Sequence, residues 1–238
     1  MQIHKSFKQL ASVAIFTIGA GAWLAAAFAD DQAAKTTQAI NAPEASKAAA
    51  ADSAARSAII ERLSALQSLR GQFTQTLQAK DGKQLQETTG DFTFKRPGLY
   101  HWESSEPFPQ IVVGNGETVW VYDPDLEQVT ITKQDAMPYN PANLLSGGIA
   151  DLAARYHIEQ STDKEQERFT LTPLDTANAP FVQLGMHFAG DVLQVATLTD
   201  RLGQVTRITL QKTTANTAVD DSLFSFDPPQ GTDILMND

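Results

Sequence analysis

The sequence predicts a mainly β domain: one highly curved antiparallel sheet of about ten strands, with two or three short helices packed into its concavity. Three observations lead there. Beyond Gly71 the apolar spacing changes from a helical period to a period of two, and it returns to two after a second helical patch. Asp81-Gly82, Asn115-Gly116, Gly190-Asp191 and Leu202-Gly203 fall between strand-like runs, where tight hairpin turns need positive φ. So many short connections imply antiparallel, up-and-down order. With so few helices, one curved sheet holding them in its hollow is the economical arrangement.

Taken in chain order, His4, Lys5 and Lys8 make a short positive segment, followed by an apolar run from Leu10 to Phe28 and the small-residue site Ala27-Phe28-Ala29. That layout predicts a cleaved signal peptide over residues 1–29, an uncleaved membrane anchor being the alternative. Residues 30–55 hold eleven alanines and one large aliphatic side chain, Ile40. Such a stretch buries too little apolar surface to offset its ordering entropy, so it reads as a linker whose alanines extend the helix that follows. The folded domain is expected over residues 56–238.

Ile59, Leu63, Leu66 and Phe73 recur at helical spacing after Asp52 and Ser53, which predicts a helix over roughly residues 53–70. Strands are expected around Phe73–Ala79, Phe92–Phe94 and Tyr100–Trp102. Others follow at 108–113, 118–123, 127–132, 167–172, 181–189, 192–199, 204–211 and 223–226. A second helix is expected from Pro141 to about Tyr156, with Leu144, Leu145, Ile149 and Leu152 on one side.

The 238 residues carry 28 acidic and 18 basic side chains, and Lys5 and Lys8 are the only charges before Asp30, leaving −12 beyond it. That balance disfavours nucleic acid or an anionic membrane surface as the main partner. With no cysteine there is no disulfide, thiolate metal site, Cys nucleophile or lipidated N-terminal Cys. Phosphate-binding and dinucleotide loops are absent, as is Gly-x-Ser-x-Gly, and Ser146-Gly147-Gly148 reads only as a flexible helix interruption. His101, His157 and His187 have no ligand spacing and read as structural. Asp123, Asp125 and Glu127 alternate as calcium ligands do, but Pro124 marks a turn between strands. Glu103 and Glu106 flank Ser104-Ser105 before Pro107 and read as a solvated turn. By elimination the chain is expected not to be an enzyme and to need no cofactor or metal.

What remains is aromatic. Phe73, Phe92, Phe94, Tyr100, Trp102, Trp120, Tyr122, Phe169, Phe188 and Phe224 exceed what contacts within one sheet account for. Each alone suits a filled core; as a set under a helical cover they suggest an apolar cavity.

Lys95-Arg96-Pro97-Gly98-Leu99-Tyr100-His101-Trp102 resembles a block of the outer-membrane lipoprotein carrier (LolA) family. Three further blocks agree in order and spacing: Gly71-Gln72-Phe73-Thr74-Gln75, the run from Gly116 to Val129, and Phe224-Ser225-Phe226-Asp227-Pro228-Pro229-Gln230-Gly231. The resemblance implies an unclosed β-barrel covered by a lid of short helices. It implies a monomeric periplasmic chaperone that takes acylated lipoproteins from an inner-membrane ABC transporter and passes them to an outer-membrane receptor lipoprotein. It also implies that Arg96 bonds carbonyls of the second helix, here the segment holding Leu144, Leu145 and Ser146, and so locks the empty lid. A guanidinium suits that work, offering five donors in a fixed fork. Phe73, Phe92, Phe94, Tyr100, Trp102, Trp120 and Tyr122 are then expected to line the acyl-chain cavity. The alternatives are a periplasmic carrier of free phospholipid or glycolipid, an envelope hydrolase with an unrecognised site, and a purely structural β module.

Overall fold

Alanine has the highest helix propensity and proline is tolerated in a first turn, so residues 42–55 join the helix rather than precede it. The computed structural model describes residues 42–136, 146, 154–163 and 166–237. In it one helix, α1, runs Ala42–Ala65. Its apolar stripe is Ala55, Ile59 and Leu63, all buried, with Leu66 just beyond. The helix starts eleven residues before the expected Ser53 and stops five before the expected Arg70. The stop has a cause. Asn216, at φ 55, donates from its side chain to the Ala65 carbonyl and accepts from the Gln67 N–H, so the chain turns into a strand at Ser68.

Twelve strands follow: β1 (Ser68–Gln78), β2 (Gln84–Lys95), β3 (Leu99–Glu106), β4 (Gln110–Asn115), β5 (Thr118–Asp123), β6 (Gln128–Lys133), β7 (Tyr156–Asp163), β8 (Gln166–Pro173), β9 (Phe181–Ala189), β10 (Val192–Asp200), β11 (Val205–Ala215) and β12 (Asp233–Asn237). They form one sheet in the order β12-β6-β5-β4-β3-β2-β1-β11-β10-β9-β8-β7. The sheet does not close, since β12 and β7 are its two edges. The four expected hairpin glycines, Gly82, Gly116, Gly190 and Gly203, all have positive φ.

Four expectations are corrected. Two strands, β7 and β12, carry little apolar alternation: β7 is polar beyond Ile158, and β12 is exposed throughout. Pairing is not wholly antiparallel, because β12 returns to lie parallel against β6. Residues 221–224 are a 3₁₀ turn rather than a strand, since the Asp220 side chain accepts from the Ser222 N–H and caps it. Glu103 and Glu106 also lie within β3, not in a turn. The second helix falls mostly outside the described residues; residues 146, 154 and 155 are helical, and β7 already begins at Tyr156.

Helix α1 is fixed to one half of the sheet by its charged residues. Arg62 donates to Glu167 on β8 at 2.7 Å and pairs with Asp191 in the β9–β10 turn. Near the start of β7, Asp52 accepts from the Ile158 N–H at 2.8 Å and Arg56 donates to the Tyr156 carbonyl at 2.7 Å. These two side chains occupy backbone groups that a further strand would otherwise pair with. Burial opposes ionisation of Asp52, but its bonds from Arg56 and the Ile158 amide, with the charges of Arg56 and His157, hold its pKa below the usual 3.8. A depressed carboxylate contributes stability above its unfolded pKa and loses it as pH falls through the folded one. The protection factor of the Ile158 amide, relative to its intrinsic exchange rate, is therefore expected to fall as pH drops below about 4. Protection that stays constant into acid would mean that Asp52 does not hold this edge.

Gly114 packs directly against an aromatic ring. A Cβ there would sit 2.3 Å from the Tyr100 ring, and that ring is fully buried with nowhere to move. Gly114→Ala is expected to lower stability by about 1–3 kcal/mol through overpacking, read by urea denaturation. An unchanged midpoint would show that the ring is free to shift.

Candidate functional site

Side chains alternate faces along a strand, so register decides which aromatics meet. Phe94 lies opposite Tyr100 and Phe92 opposite Trp102, while Leu69 pairs with Phe94 and Phe73 with Gly90. Leu69, Phe73, Phe92, Phe94, Tyr100 and Trp102 therefore share one face. This inner face borders one small void, lined by Leu66 just after α1 together with Leu69, Phe94 and Leu193. On this inner face Phe73 stacks on Trp102 with centroids 3.8 Å apart, and Phe92 and Phe94 lie 5.9 and 6.2 Å from Trp102. Trp102 is the hub of the four rings.

Trp120 and Tyr122 are elsewhere. Trp102 is opposite Val112, which is opposite Val121; Trp120 is opposite Val113 and Tyr122 opposite Ile111. Val121 thus continues the inner face, and Trp120 and Tyr122 point to the outer one. There Tyr122 packs 5.3 Å from Phe226, and the C-terminal segment is held by Lys95, which pairs with Asp221. The period-two pattern gave both faces apolar residues at this point, because the returning C-terminal segment covers the outer face with buried Phe224. The expected seven-residue lining is therefore five residues on the inner face and two in a separate outer cluster.

The inner face is filled. Phe73, Phe92, Phe94, Tyr100 and Trp102 are each 4% exposed or less. The void beside Leu66 and Phe94 has a volume of about 10 Å³, room for about one water. A standing cavity has a physical objection: keeping ~300 Å³ empty and dry, at ~24 cal/mol per Å³, costs about 7 kcal/mol. That rivals the net stability of a whole domain.

Arg96 lies at the inner end of this cluster, after β2. Its Nε donates to the Leu66 carbonyl at 3.0 Å, and its N–H donates to the Gln67 carbonyl at 2.9 Å. A cation at the C-terminal end of α1 also meets the negative end of the helix dipole. Burial pushes the guanidinium down to about 10, so it stays charged at neutral pH. Two residues on, Gly98 (φ 72) donates its N–H to the carbonyl of Ser146, a buried helical residue. Leu144 and Leu145 lie outside the described residues. The Arg96–Gly98 turn thus touches the end of the first helix through Arg96 and the second helical segment through Gly98.

The sequence reading missed Gln134, which steadies this turn. Its Nε2 donates to the Gly98 carbonyl at 2.9 Å and its Oε1 accepts from the Gly116 N–H at 3.1 Å, tying the β2–β3 and β4–β5 turns together. A glutamine after a strand carries no such signal in sequence. The Asp123 carboxylate accepts from the Asp125 and Leu126 N–H groups, the usual work of aspartate in a turn. His101, His157 and His187 stand on three different strands, β3, β7 and β9.

The family described as outer membrane lipoprotein carrier protein LolA matches residues 64–227. An outer-membrane lipoprotein carrier protein of Pseudomonas putida (strain GB-1) is 39% identical over 181 residues, covering 74% of this chain and 87% of its own. That of Pseudomonas aeruginosa (strain UCBPP-PA14) is 38% identical over 193 residues, covering 81% and 92%. A LolA superfamily protein from Nitrosomonas europaea, known as a crystal structure, aligns with TM-score 0.45 at 12% identity, over 72% of this chain and 98% of its own. With a family match over most of its length and relatives near 38% identity, the chain belongs to the outer membrane lipoprotein carrier (LolA) family.

Proposed function

We propose that this protein is a periplasmic carrier of acylated lipoproteins, taking them from an inner-membrane ABC transporter and delivering them to an outer-membrane receptor. The single observation behind this reading is the contiguous aromatic cluster on the inner face of one unclosed sheet. Helices held at a few polar points can move away; a paired sheet cannot without breaking its ladder.

Burial of a CH₂ is worth about 0.8 kcal/mol, so a sixteen-carbon chain holds on the order of 12 kcal/mol and a triacyl anchor about three times that. Such an anchor does not leave a bilayer unaided at a useful rate. A carrier that offers equivalent apolar surface makes the transfer nearly even in free energy, and extraction is driven by the transporter. The empty carrier avoids the penalty of a dry void by letting its own rings collapse together. Loading then parts the rings and swings the lid, which breaks the Arg96 and Gly98 contacts.

The test is native mass spectrometry of the exported protein purified from cells making a tagged lipoprotein. A complex with the acylated lipoprotein is expected. Diacyl phospholipid with no acylated protein would overturn the reading and make the chain a carrier of free lipid.

A further inference from the structure

The inner face changes character along β1–β3. At the Arg96 end stand Leu69, Phe94 and Tyr100, and in the middle Phe73, Phe92 and Trp102. At the far end the same face carries Ser104, Thr88 and Gln75, all buried at 6% exposure or less. Ser104 lies opposite Gly90, next along the face from Trp102, and Gln75 lies opposite Thr88.

Trp102 Nε1 and Ser104 Oγ are buried from solvent and have no hydrogen-bond partner among the described residues. An unmet buried donor costs free energy, and native structures pair the great majority of theirs. Both groups can give a proton and sit beside the rings that the carrier reading assigns to acyl chains. A bilayer anchor brings the complement, because each acyl chain joins it through an ester or amide whose carbonyl is an acceptor with no proton to give. Trp102 offers both functions in one side chain, a ring face for methylenes and an N–H for a carbonyl.

We propose that Trp102 Nε1 and Ser104 Oγ bind the ester or amide carbonyls of the cargo's acyl linkages, so that the chains run toward Phe94 and Tyr100 and the head lies toward Thr88 and Gln75. The inference rests on the carrier reading and adds to it an orientation and a chemical preference. The cargo polypeptide leaves at the β3–β4 end of the inner face, away from the Arg96 turn. The orphaned donors are then satisfied only in the loaded state, which favours a true acyl linkage over hydrocarbon alone.

The experiment compares a diacyl lipopeptide with its dialkyl ether analogue of equal chain length, titrated against the protein. The parent is expected to bind the ester form about tenfold or more tightly, equivalent to ~1.4 kcal/mol. In Ser104→Ala the ester-to-ether ratio is expected to fall severalfold, and in a double variant with Trp102→Phe to about one. Thermal unfolding of empty Ser104→Ala is expected to match or exceed that of the parent, because a structural hydroxyl would lower it on removal and an orphaned one does not. A parent that binds both analogues equally overturns the carbonyl site and leaves the carrier reading standing. A parent that binds neither overturns both. A ratio unchanged by both substitutions overturns the assignment of these two donors.

Discussion

Arg96→Leu is expected to take up acylated cargo and to release it to the receptor at least tenfold more slowly than the parent. The empty state keeps a charged guanidinium on the Leu66 carbonyl at the end of α1, and a hydrogen bond to a charged group contributes about 1.5–3 kcal/mol. Leucine supplies no donor, so the carbonyl loses its partner in the closed form. If loading already breaks this contact, the substitution raises the free energy of the empty closed state and not of the loaded open one. A ligand that favours one of two states gains apparent affinity by the free energy removed from the other. At 1.4 kcal/mol per factor of ten, that range corresponds to roughly 10–150-fold tighter holding. Uptake from the transporter is preserved because opening has become easier. Release measured with purified receptor checks this, and delivery at the parent's rate would remove Arg96 from the lock. Gly98 supplies a second, backbone contact to Ser146, so the variant is expected to fold and still close part of the time.

The second large effect concerns Trp102. It is the hub of the inner cluster, stacked on Phe73 and flanked by Phe92 and Phe94. Trp102→Ala deletes a buried indole, and such deletions destabilise by about 3–5 kcal/mol. The same change removes aromatic surface from the region assigned to acyl chains. Both stability and binding of an acylated peptide are therefore expected to fall. Trp120→Ala is the control, because Trp120 lies on the other face. It is expected to disturb the outer cluster and leave acyl binding as in the parent. Equal loss of binding in the two variants would mean that the faces are not functionally distinct.

This contrast marks where the sequence was legible and where it was not. Period-two spacing located strands rich in apolar residues well: β5 and β9 lie where it placed them, at 118–123 and 181–189. It failed for β7 and β12, edge strands with too little burial to imprint a pattern. It could not say which face Trp120 and Tyr122 take, because a distant segment, with Phe224 and Phe226, returns to cover the outer side. Arg96 was singled out through resemblance, but its bond to Leu66 joins residues thirty positions apart, and Gln134 joins two turns through contacts just as remote. Pairing register places Phe73, Phe92, Phe94, Tyr100 and Trp102 on one face, which composition alone does not specify. Composition counts apolar side chains, and whether those collapse on one another depends on the free energy of empty space.

From Asp30 onward the chain has two tryptophans, Trp102 and Trp120, one on each face of the sheet. Quenching by a lipopeptide with brominated acyl chains therefore reads directly which face the chains touch, since bromine quenches indole only near contact. With Trp102 alone (Trp120→Phe), emission is expected to fall on binding; with Trp120 alone (Trp102→Phe), it is expected to stay constant. Quenching of Trp120 with Trp102 unaffected would contradict the account at its base.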